Sequence, residues 1–230
     1  MIKSTLILFD IDGTILTSGG AGECALRLGF KEEFGLEENL TQIEISGRTD
    51  SGIARQVLAK HGLEATPDNL HRFFEGYLRQ LERELPTRTG RLLPGVLPLL
   101  HALGELPQVC LGLLTGNLER GAELKLRHYG VQDIFQFGAF ADDHHDRNQL
   151  GGFALKRALD IHGVTFASDR TFVIGDTPHD ITCARACGAK AIAVATGSFS
   201  MEALAPHQPD ALFQDLSDLP AVLRTLGQAS

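Results

Sequence analysis

The chain has 230 residues, of which 43% are hydrophobic and 22% are charged, which is typical of a globular protein with one large domain or a core with an insertion. Its formal net charge of −8 argues against a nucleic-acid partner, because binding to a phosphate backbone requires a surplus of cations. No apolar run approaches the length of a membrane span, and no signal peptide is recognisable. The four scattered cysteines do not form a disulfide framework. We therefore expect a cytoplasmic protein without a membrane partner.

Two carboxylates follow the first apolar run of the chain. Leu6 to Phe9 predict a short buried strand, and Asp10, Asp12 and Gly13 come directly after it. Like charges at a strand end are partly desolvated and raise one another's pKa. A hard cation such as Mg²⁺ makes this arrangement tolerable, whereas the alternative interpretation is a simple turn, in which Asp and Gly are common.

Residues 17–88 predict an all-helical segment. A polar connection at 41–52 separates its first helix from the second, and Thr66 and Pro67 mark the start of the third as N-cap and first helical residue. The predicted helices are Glu23 to Phe34, Ile53 to His61, and Pro67 to the residues just before Pro86.

From Arg91 onward, strands alternate with helices. The predicted strands are 109–114, 137–140, 171–174, 191–194 and 211–213, and the predicted helices are 96–103, 118–129, 153–162, 181–187 and 219–226. Such alternation predicts right-handed crossovers and an α/β fold with a doubly wound parallel sheet. We therefore expect a core domain of residues 1–16 and 89–230, with residues 17–88 inserted after the first strand as a helical domain.

Polar residues follow several of the predicted strands. Asp10, Thr115 and Asp176 each come directly after a strand, and an acidic loop follows Phe140. Parallel sheets bind ligands outside the carboxyl ends of their strands. The sequence therefore predicts that these side chains meet at one edge of the sheet.

These residues suit phosphoryl transfer. Asp10 can attack a phosphoryl group as a nucleophile, and Asp12 can protonate the leaving oxygen and then take a proton from water. Asp176 would add a metal ligand, so that Asp10, Asp12 and Asp176 together would hold Mg²⁺. Asp180 would hold a metal-bound water or orient a cation, or would only place a charge at a helix N-terminus.

Thr115, Gly116 and Asn117 form a second candidate for phosphate contact. The Thr115 hydroxyl and the N–H groups of the next two residues stand at a strand end, where a helix begins. Such a corner binds phosphate oxygens well, although the same tripeptide alone would be read as a turn and helix cap.

Taken together, the motifs resemble those of the haloacid dehalogenase superfamily. Residues 10–14 are similar to its first motif, residues 114–117 to its second, and residues 175–180 to its fourth, and the match spans nearly the whole chain. The helical insertion resembles the small helical cap of phosphoglycolate phosphatase-like members. The resemblance implies a nucleophile at Asp10, an acid/base group at Asp12 and a Rossmann-like core with a cap.

The third motif departs from the family pattern, which supplies a lysine that is often followed by proline. Arg147, followed by Asn148, stands at the expected place, and an arginine retains the charge and can bind a phosphate with two N–H groups. Lys156 is the competing candidate, although it falls inside the predicted helix. In the cap connection, Arg48 and Thr49 would select the substrate by binding an anionic group, or Thr49 would cap a helix.

The sequence thus predicts a Mg²⁺-dependent phosphatase that hydrolyses a small phosphorylated metabolite through an aspartyl-phosphate. Three alternatives stay open: a sugar phosphomutase with the same core residues, a 2-haloacid dehalogenase, which has no use for the second aspartate, and a binding protein without activity on the same fold. The sequence does not distinguish a monomer from a homodimer.

Overall fold

The computed structural model describes residues 4–228 as an α/β structure with a mostly parallel sheet. The strands within this range are β1 (Thr5–Phe9), β2 (Leu16–Thr17), β3 (Arg91–Leu92), β4 (Val109–Leu114), β5 (Gly138–Ala139), β6 (Thr171–Gly175), β7 (Lys190–Val194) and β8 (Ala211–Phe213). The α-helices are α1 (Ala21–Phe34), α2 (Asp50–Lys60), α3 (Pro67–Glu84), α4 (Val96–Gly104), α5 (Glu119–His128), α6 (Arg147–His162), α7 (Pro178–Ala186), α8 (Met201–Leu204) and α9 (Leu219–Thr225).

Six strands form one parallel sheet in the order β5-β4-β1-β6-β7-β8. The first strand of the chain is therefore central, between β4 and β6. Phe9 is in register with Leu113 on one side and with Ile174 on the other, so β1, β4 and β6 end at nearly the same level. The predicted doubly wound α/β class is confirmed, and the three strand ends stand side by side.

Both faces of the sheet are buried, as a parallel sheet requires. Side chains alternate along β1, so that Ile7 and Phe9 join one apolar cluster while Leu6 and Leu8 join the other. All four side chains are fully buried. The central strand is thus rigidly held, and Asp10 starts from a fixed point.

Helices α1, α2 and α3 form a further apolar cluster, which Leu118 and Ala141 also join. Phe30 of α1 lies 5.3 Å from Phe73 of α3 between ring centroids. Thr66 caps α3 by accepting a hydrogen bond from the Asn69 N–H at 3.2 Å, as the sequence predicts. The three helices fall inside the predicted bounds of the inserted domain, and the division into two domains at 17–88 stays a prediction.

The structure differs from the prediction at the edges of that segment. Thr17 lies in β2, which pairs with Arg91 in an antiparallel two-stranded sheet, although no strand was expected there. Strands of two residues are too short to produce an apolar periodicity. Only the meeting of two segments more than 70 residues apart in sequence creates this pair.

Helix α6 begins at Arg147, six residues before the predicted start near Phe153. Asp146 caps it by accepting a hydrogen bond from the Asn148 N–H at 3.0 Å. Gly151 and its neighbouring glycine weaken the helical pattern, because glycine has low helix propensity. A Cβ at Gly151 would lie 2.5 Å from the Cys187 Cβ, so close packing against the end of α7 explains this glycine.

Helix α8 was not predicted, since four residues give no periodic pattern. Among residues 4–228, none of the helices combines the length and apolar character that a membrane crossing needs.

Candidate active site

The candidate site is a cavity of about 430 Å³ at the carboxyl ends of the central strands. Asp10 and Asp176 line it from the ends of β1 and β6, and Asn117 lines it from the loop after β4. The structure therefore brings together the polar strand ends that the sequence analysis singled out. Residues from α1 and from the connection before α2 line the opposite side.

Three buried carboxylates form an acidic centre beside the cavity, and two of them, Asp10 and Asp176, line it. One ligand atom each of Asp10, Asp176 and Asp180 lies within 4.8 Å of the others. Their exposed fractions are 4%, 3% and 2%, so water can hydrate them only slightly. The group suits a hard divalent cation, because three converging carboxylate oxygens are the donors that Mg²⁺ prefers.

Glycine residues make room for Asp176. Gly13 has a φ of +83°, the left-handed conformation that the predicted turn after β1 requires. A Cβ at Gly13 would lie 2.4 Å from Asp176 Oδ2, and one at Gly197 would lie 1.8 Å from the same atom. The backbone therefore encloses this carboxylate from two sides, and Thr14 donates a hydrogen bond to Asp176 Oδ1 at 3.2 Å.

Arg147 supplies the positive charge of the acidic centre. Its Nη2 donates to Asp10 Oδ1 at 2.8 Å and also to Asp180, and its Nη1 donates to the Gly47 carbonyl oxygen at 3.0 Å. The guanidinium is 7% exposed. Lys156, the competing candidate, is 75% exposed and pairs with Asp160 of its own helix at 3.4 Å.

Burial and mutual repulsion raise the pKa values of Asp10 and Asp176. Burial raises the pKa of Asp10 to about 7, with Asp180 and Asp12 adding to the shift and Arg147 opposing it. Burial, and then the charges of Asp180 and Asp10, raise the pKa of Asp176 well above its usual value. A single guanidinium does not compensate three carboxylates, and this imbalance is what a divalent cation would correct.

Asp180 combines the two roles that the sequence left as alternatives. Its Oδ2 accepts a hydrogen bond from the Thr177 N–H at 2.9 Å, and the Asp180 N–H donates to Thr177 Oγ1 at 3.3 Å, which forms a capping box at the start of α7. The Thr177 hydroxyl also donates to Asp180 Oδ2 at 2.7 Å. Its Oδ1 contacts Arg147. The helix cap thus fixes a carboxylate of the acidic centre.

Asp12 points away from the acidic centre. The sequence predicts that it binds a metal together with Asp10 and Asp176, which stays a prediction, whereas the third carboxylate close to those two in the structure is that of Asp180. Asp12 Oδ2 instead accepts hydrogen bonds from Lys125 Nζ at 2.5 Å and from Asn117 Nδ2 at 2.9 Å. Its side chain is 39% exposed, in contrast to the buried carboxylates.

Lys125 is a site residue that the sequence analysis missed. It lies on α5, with Gly121, Ala122 and Leu126 on the same buried face, and its side chain is only 4% exposed. A lysine at the spacing of an apolar helix face is unusual, since lysine is rarely buried without a partner. That spacing is the signal that could have identified it.

The loop after β4 contacts residues 44–51, which precede α2 and include its first two residues, and which we call the connecting segment. Thr115 is fully buried, and its Oγ1 accepts a hydrogen bond from Asn117 Nδ2 at 2.8 Å. The Asp50 N–H donates to the Gly116 carbonyl oxygen at 2.6 Å. A Cβ at Gly116 would lie 2.2 Å from the Arg48 carbonyl oxygen, so the connecting segment packs directly on this loop.

Arg48 and Thr49 differ in position. Arg48 lines the cavity and pairs with Glu44, with 45% of its side chain exposed. Thr49 caps α2 by accepting from the Gly52 N–H at 3.0 Å and donates to the His145 carbonyl oxygen at 2.5 Å. The Thr49 hydroxyl is thus used in capping, the alternative that the sequence left open.

Comparison with known proteins identifies related sequences. A family model described as haloacid dehalogenase-like hydrolase matches residues 7–194. The phosphoglycolate phosphatase of Synechococcus elongatus is 27% identical over 218 residues, which cover 93% of this chain and 94% of that protein. The phosphoglycolate phosphatase of Rhodospirillum rubrum is 25% identical over 222 residues, which cover 93% of this chain and 88% of that protein.

Solved structures share the fold. A hydrolase from Pseudomonas syringae superimposes with a TM-score of 0.73 at 21% identity, over 96% of this chain and 98% of that one. A predicted phosphoglycolate phosphatase from Haemophilus somnus superimposes with a TM-score of 0.70 at 20% identity, over 96% and 99% of the two chains.

Proposed function

The chain belongs to the haloacid dehalogenase-like hydrolases, and from this membership we propose that it is a Mg²⁺-dependent phosphatase acting on phosphoglycolate or a similar small phosphorylated metabolite. The observation that carries the proposal is the meeting of Asp10, Arg147, Asp176 and Asp180 in one buried acidic centre beside a 430 Å³ cavity. The choice of phosphoglycolate rests on the relatives, which match along most of their length.

Asp10 is the proposed nucleophile. One of its carboxylate oxygens attacks phosphorus, so that the aspartyl–phosphate bond forms while the ester bond to the leaving alcohol breaks. Asp12 gives its proton to the leaving oxygen. A water molecule then attacks the aspartyl-phosphate, Asp12 takes back a proton from that water, and inorganic phosphate leaves with the Asp10 carboxylate restored.

The surrounding residues bind and orient the phosphoryl group. Arg147 keeps a full positive charge, because Asp180 and Asp10 raise its pKa further although burial opposes them. Its contact with Asp10 Oδ1 fixes the nucleophile, and the Thr115 hydroxyl with the Gly116 and Asn117 N–H groups would cover the phosphate oxygens.

Asp10, Asp176 and Asp180 are the proposed ligands of the divalent cation. When bound, the cation offsets the repulsion between these carboxylates and the anionic phosphate. The raised pKa values of Asp10 and Asp176 fit this assignment, since burying three carboxylates around one guanidinium leaves an uncompensated negative charge. The same charge speaks against the metal-independent dehalogenase alternative.

The helical segment is proposed to act as a cap, with residues 17–88 as its bounds. The connecting segment lies over the strand ends and contributes Arg48 to the cavity wall. On release from Glu44, the guanidinium would bind the carboxylate of phosphoglycolate, with Thr49 holding the segment in place as the α2 cap.

A reducing cytoplasm remains our expectation, since all four cysteines are thiols within residues 4–228.

The test is release of inorganic phosphate from phosphoglycolate with Mg²⁺ and with a chelator. We expect turnover only with the cation, and we expect Asp10→Asn to abolish it because an amide is not a nucleophile. Asp160→Asn is the matched control, since Asp160 is exposed and pairs with the exposed Lys156 of its own helix. Full activity of Asp10→Asn would contradict the proposal, and metal-independent chloride release from a 2-haloacid would favour the dehalogenase.

A further inference from the structure

A buried lysine stands outside the acidic centre, and the proposed chemistry leaves it without a role. The Lys125 ammonium lies 2.5 Å from Asp12 Oδ2 and 2.6 Å from Asn117 Oδ1. Both partners line the same cavity as Lys125. A Cβ at Gly22, in the first turn of α1, would lie 3.6 Å from the ammonium, so α1 packs against the Lys125 side chain.

Stability alone does not explain this lysine. Removing an ammonium from water costs several kcal/mol, and a buried ion pair commonly returns no more than this cost. Asp12 is 39% exposed and could be hydrated without a protein partner.

The hydrogen bonds divide the two oxygens of Asp12 between two tasks. Lys125 and Asn117 both bind Oδ2. Within residues 4–228, Oδ1 has no hydrogen-bond partner and is available to carry the transferred proton. Asn117 Nδ2 also donates to Thr115 Oγ1 at 2.8 Å, which ties this arrangement to the rigid end of β4.

We propose that Lys125 is a positioning residue that holds Asp12 by Oδ2 and directs Oδ1 toward the leaving oxygen of the substrate. The inference rests on the proposed phosphatase activity. As the ester P–O bond breaks, the proton on Asp12 Oδ1 passes to the leaving alcohol, and the carboxylate that remains keeps its hydrogen bonds from Lys125 and Asn117. Without the ammonium, the Asn117 amide alone of these two groups still holds Oδ2, so the Asp12 side chain is less restricted and protonation of the leaving oxygen slows.

The test compares leaving groups that differ in their need for a proton. An alkoxide leaves slowly unless it is protonated, whereas p-nitrophenolate leaves as a stable anion. We measure kcat/KM, which includes phosphoryl transfer to Asp10, for phosphoglycolate, ethyl phosphate and p-nitrophenyl phosphate. For Lys125→Met we expect a loss of about 100-fold on both alkyl esters and only a few-fold loss on the aryl ester, in line with general acid catalysis.

Control variants separate positioning from structure. Lys156→Met removes an exposed lysine with a single surface ion pair and should leave all three rates unchanged. Lys125→Arg keeps N–H donors and should recover part of the alkyl-ester rate, and it replaces Lys125→Met if that variant does not fold. In an Asp12→Asn background, Lys125→Met should cost little, because the two residues act as one unit.

Each outcome decides between interpretations. An equal loss on all three esters would overturn the inference in favour of a structural or general electrostatic role. A loss confined to phosphoglycolate would overturn it in favour of direct binding of the substrate carboxylate by Lys125. A wild-type protein inactive on all three esters would overturn the proposed function itself, and this inference with it.

Discussion

Replacement of Asp10, the proposed nucleophile, should stabilise the protein while abolishing the proposed phosphatase activity. In the absence of a divalent cation, Asp10 is a buried carboxyl group beside two other acidic side chains. Asp10→Asn substitutes a neutral amide of the same shape, whose oxygen can still accept the Arg147 hydrogen bond. The substitution therefore removes the cost of ionising Asp10 in the folded protein and leaves its packing unchanged.

The magnitude follows from the pKa of Asp10, which burial raises from 3.8 to about 7. A raised pKa means that the folded state binds the proton more tightly than the unfolded state does. This contribution to stability is complete below about pH 4 and is lost as the pH rises through about 7. At 1.36 kcal/mol per pKa unit, the raised pKa lowers the unfolding free energy, relative to its value at acid pH, by about 4 kcal/mol at pH 8 and by about 2 kcal/mol at pH 5.

The assay is equilibrium urea unfolding at pH 5 and pH 8 with a chelator present. We expect Asp10→Asn to exceed the wild type by about 4 kcal/mol at pH 8, or roughly 10 °C in melting temperature for a chain of this size, and by about half that at pH 5. Added Mg²⁺ should reduce the difference in unfolding free energy between variant and wild type at pH 8. The reason is that the variant lacks one carboxylate ligand, so the cation stabilises the wild type more. Asp160→Asn, on an exposed surface, should stay within about 0.5 kcal/mol of the wild type.

Two results would refute this reasoning. One is a variant no more stable than the wild type at pH 8 without metal. The other is an advantage of equal size at both pH values, which would assign the gain to packing and not to the ionisation of Asp10.

Two further predictions concern the guanidinium and the loop after β4. Arg147→Met should lower the metal-free unfolding free energy at pH 8 by about 3–5 kcal/mol, because Asp10 loses its buried counter-charge. Arg147→Lys keeps a positive charge and should lower it less. Equal losses for the two variants in urea unfolding would contradict this prediction. Gly116→Ala should raise the KM for phosphoglycolate at least tenfold, since a Cβ there would lie 2.2 Å from the Arg48 carbonyl oxygen and displace the connecting segment. Gly152→Ala, where a Cβ meets no atom within 4 Å, should keep the wild-type KM. An equal rise in KM for this control would contradict the proposed displacement of the connecting segment.

Local pattern was sufficient for the framework of the fold. The apolar run at β4 predicted the observed bounds Val109–Leu114, because a fully buried strand shows as an uninterrupted apolar stretch. Alternation of strands with helices predicted the parallel sheet. From that sheet the common edge of Asp10, Thr115 and Asp176 follows, since parallel strands present their carboxyl ends together.

Contacts between distant segments decided the rest. Asp180 and not Asp12 completes the acidic centre, because the direction of each carboxylate depends on partners that the spacing of residues does not reveal. Lys125 reaches Asp12 across 113 positions of sequence. The sequence by itself thus determined which strand ends bring their polar side chains to one edge of the sheet, whereas only tertiary packing decided where each carboxylate points and which cationic side chain it contacts, because these depend on long-range burial and hydrogen bonding.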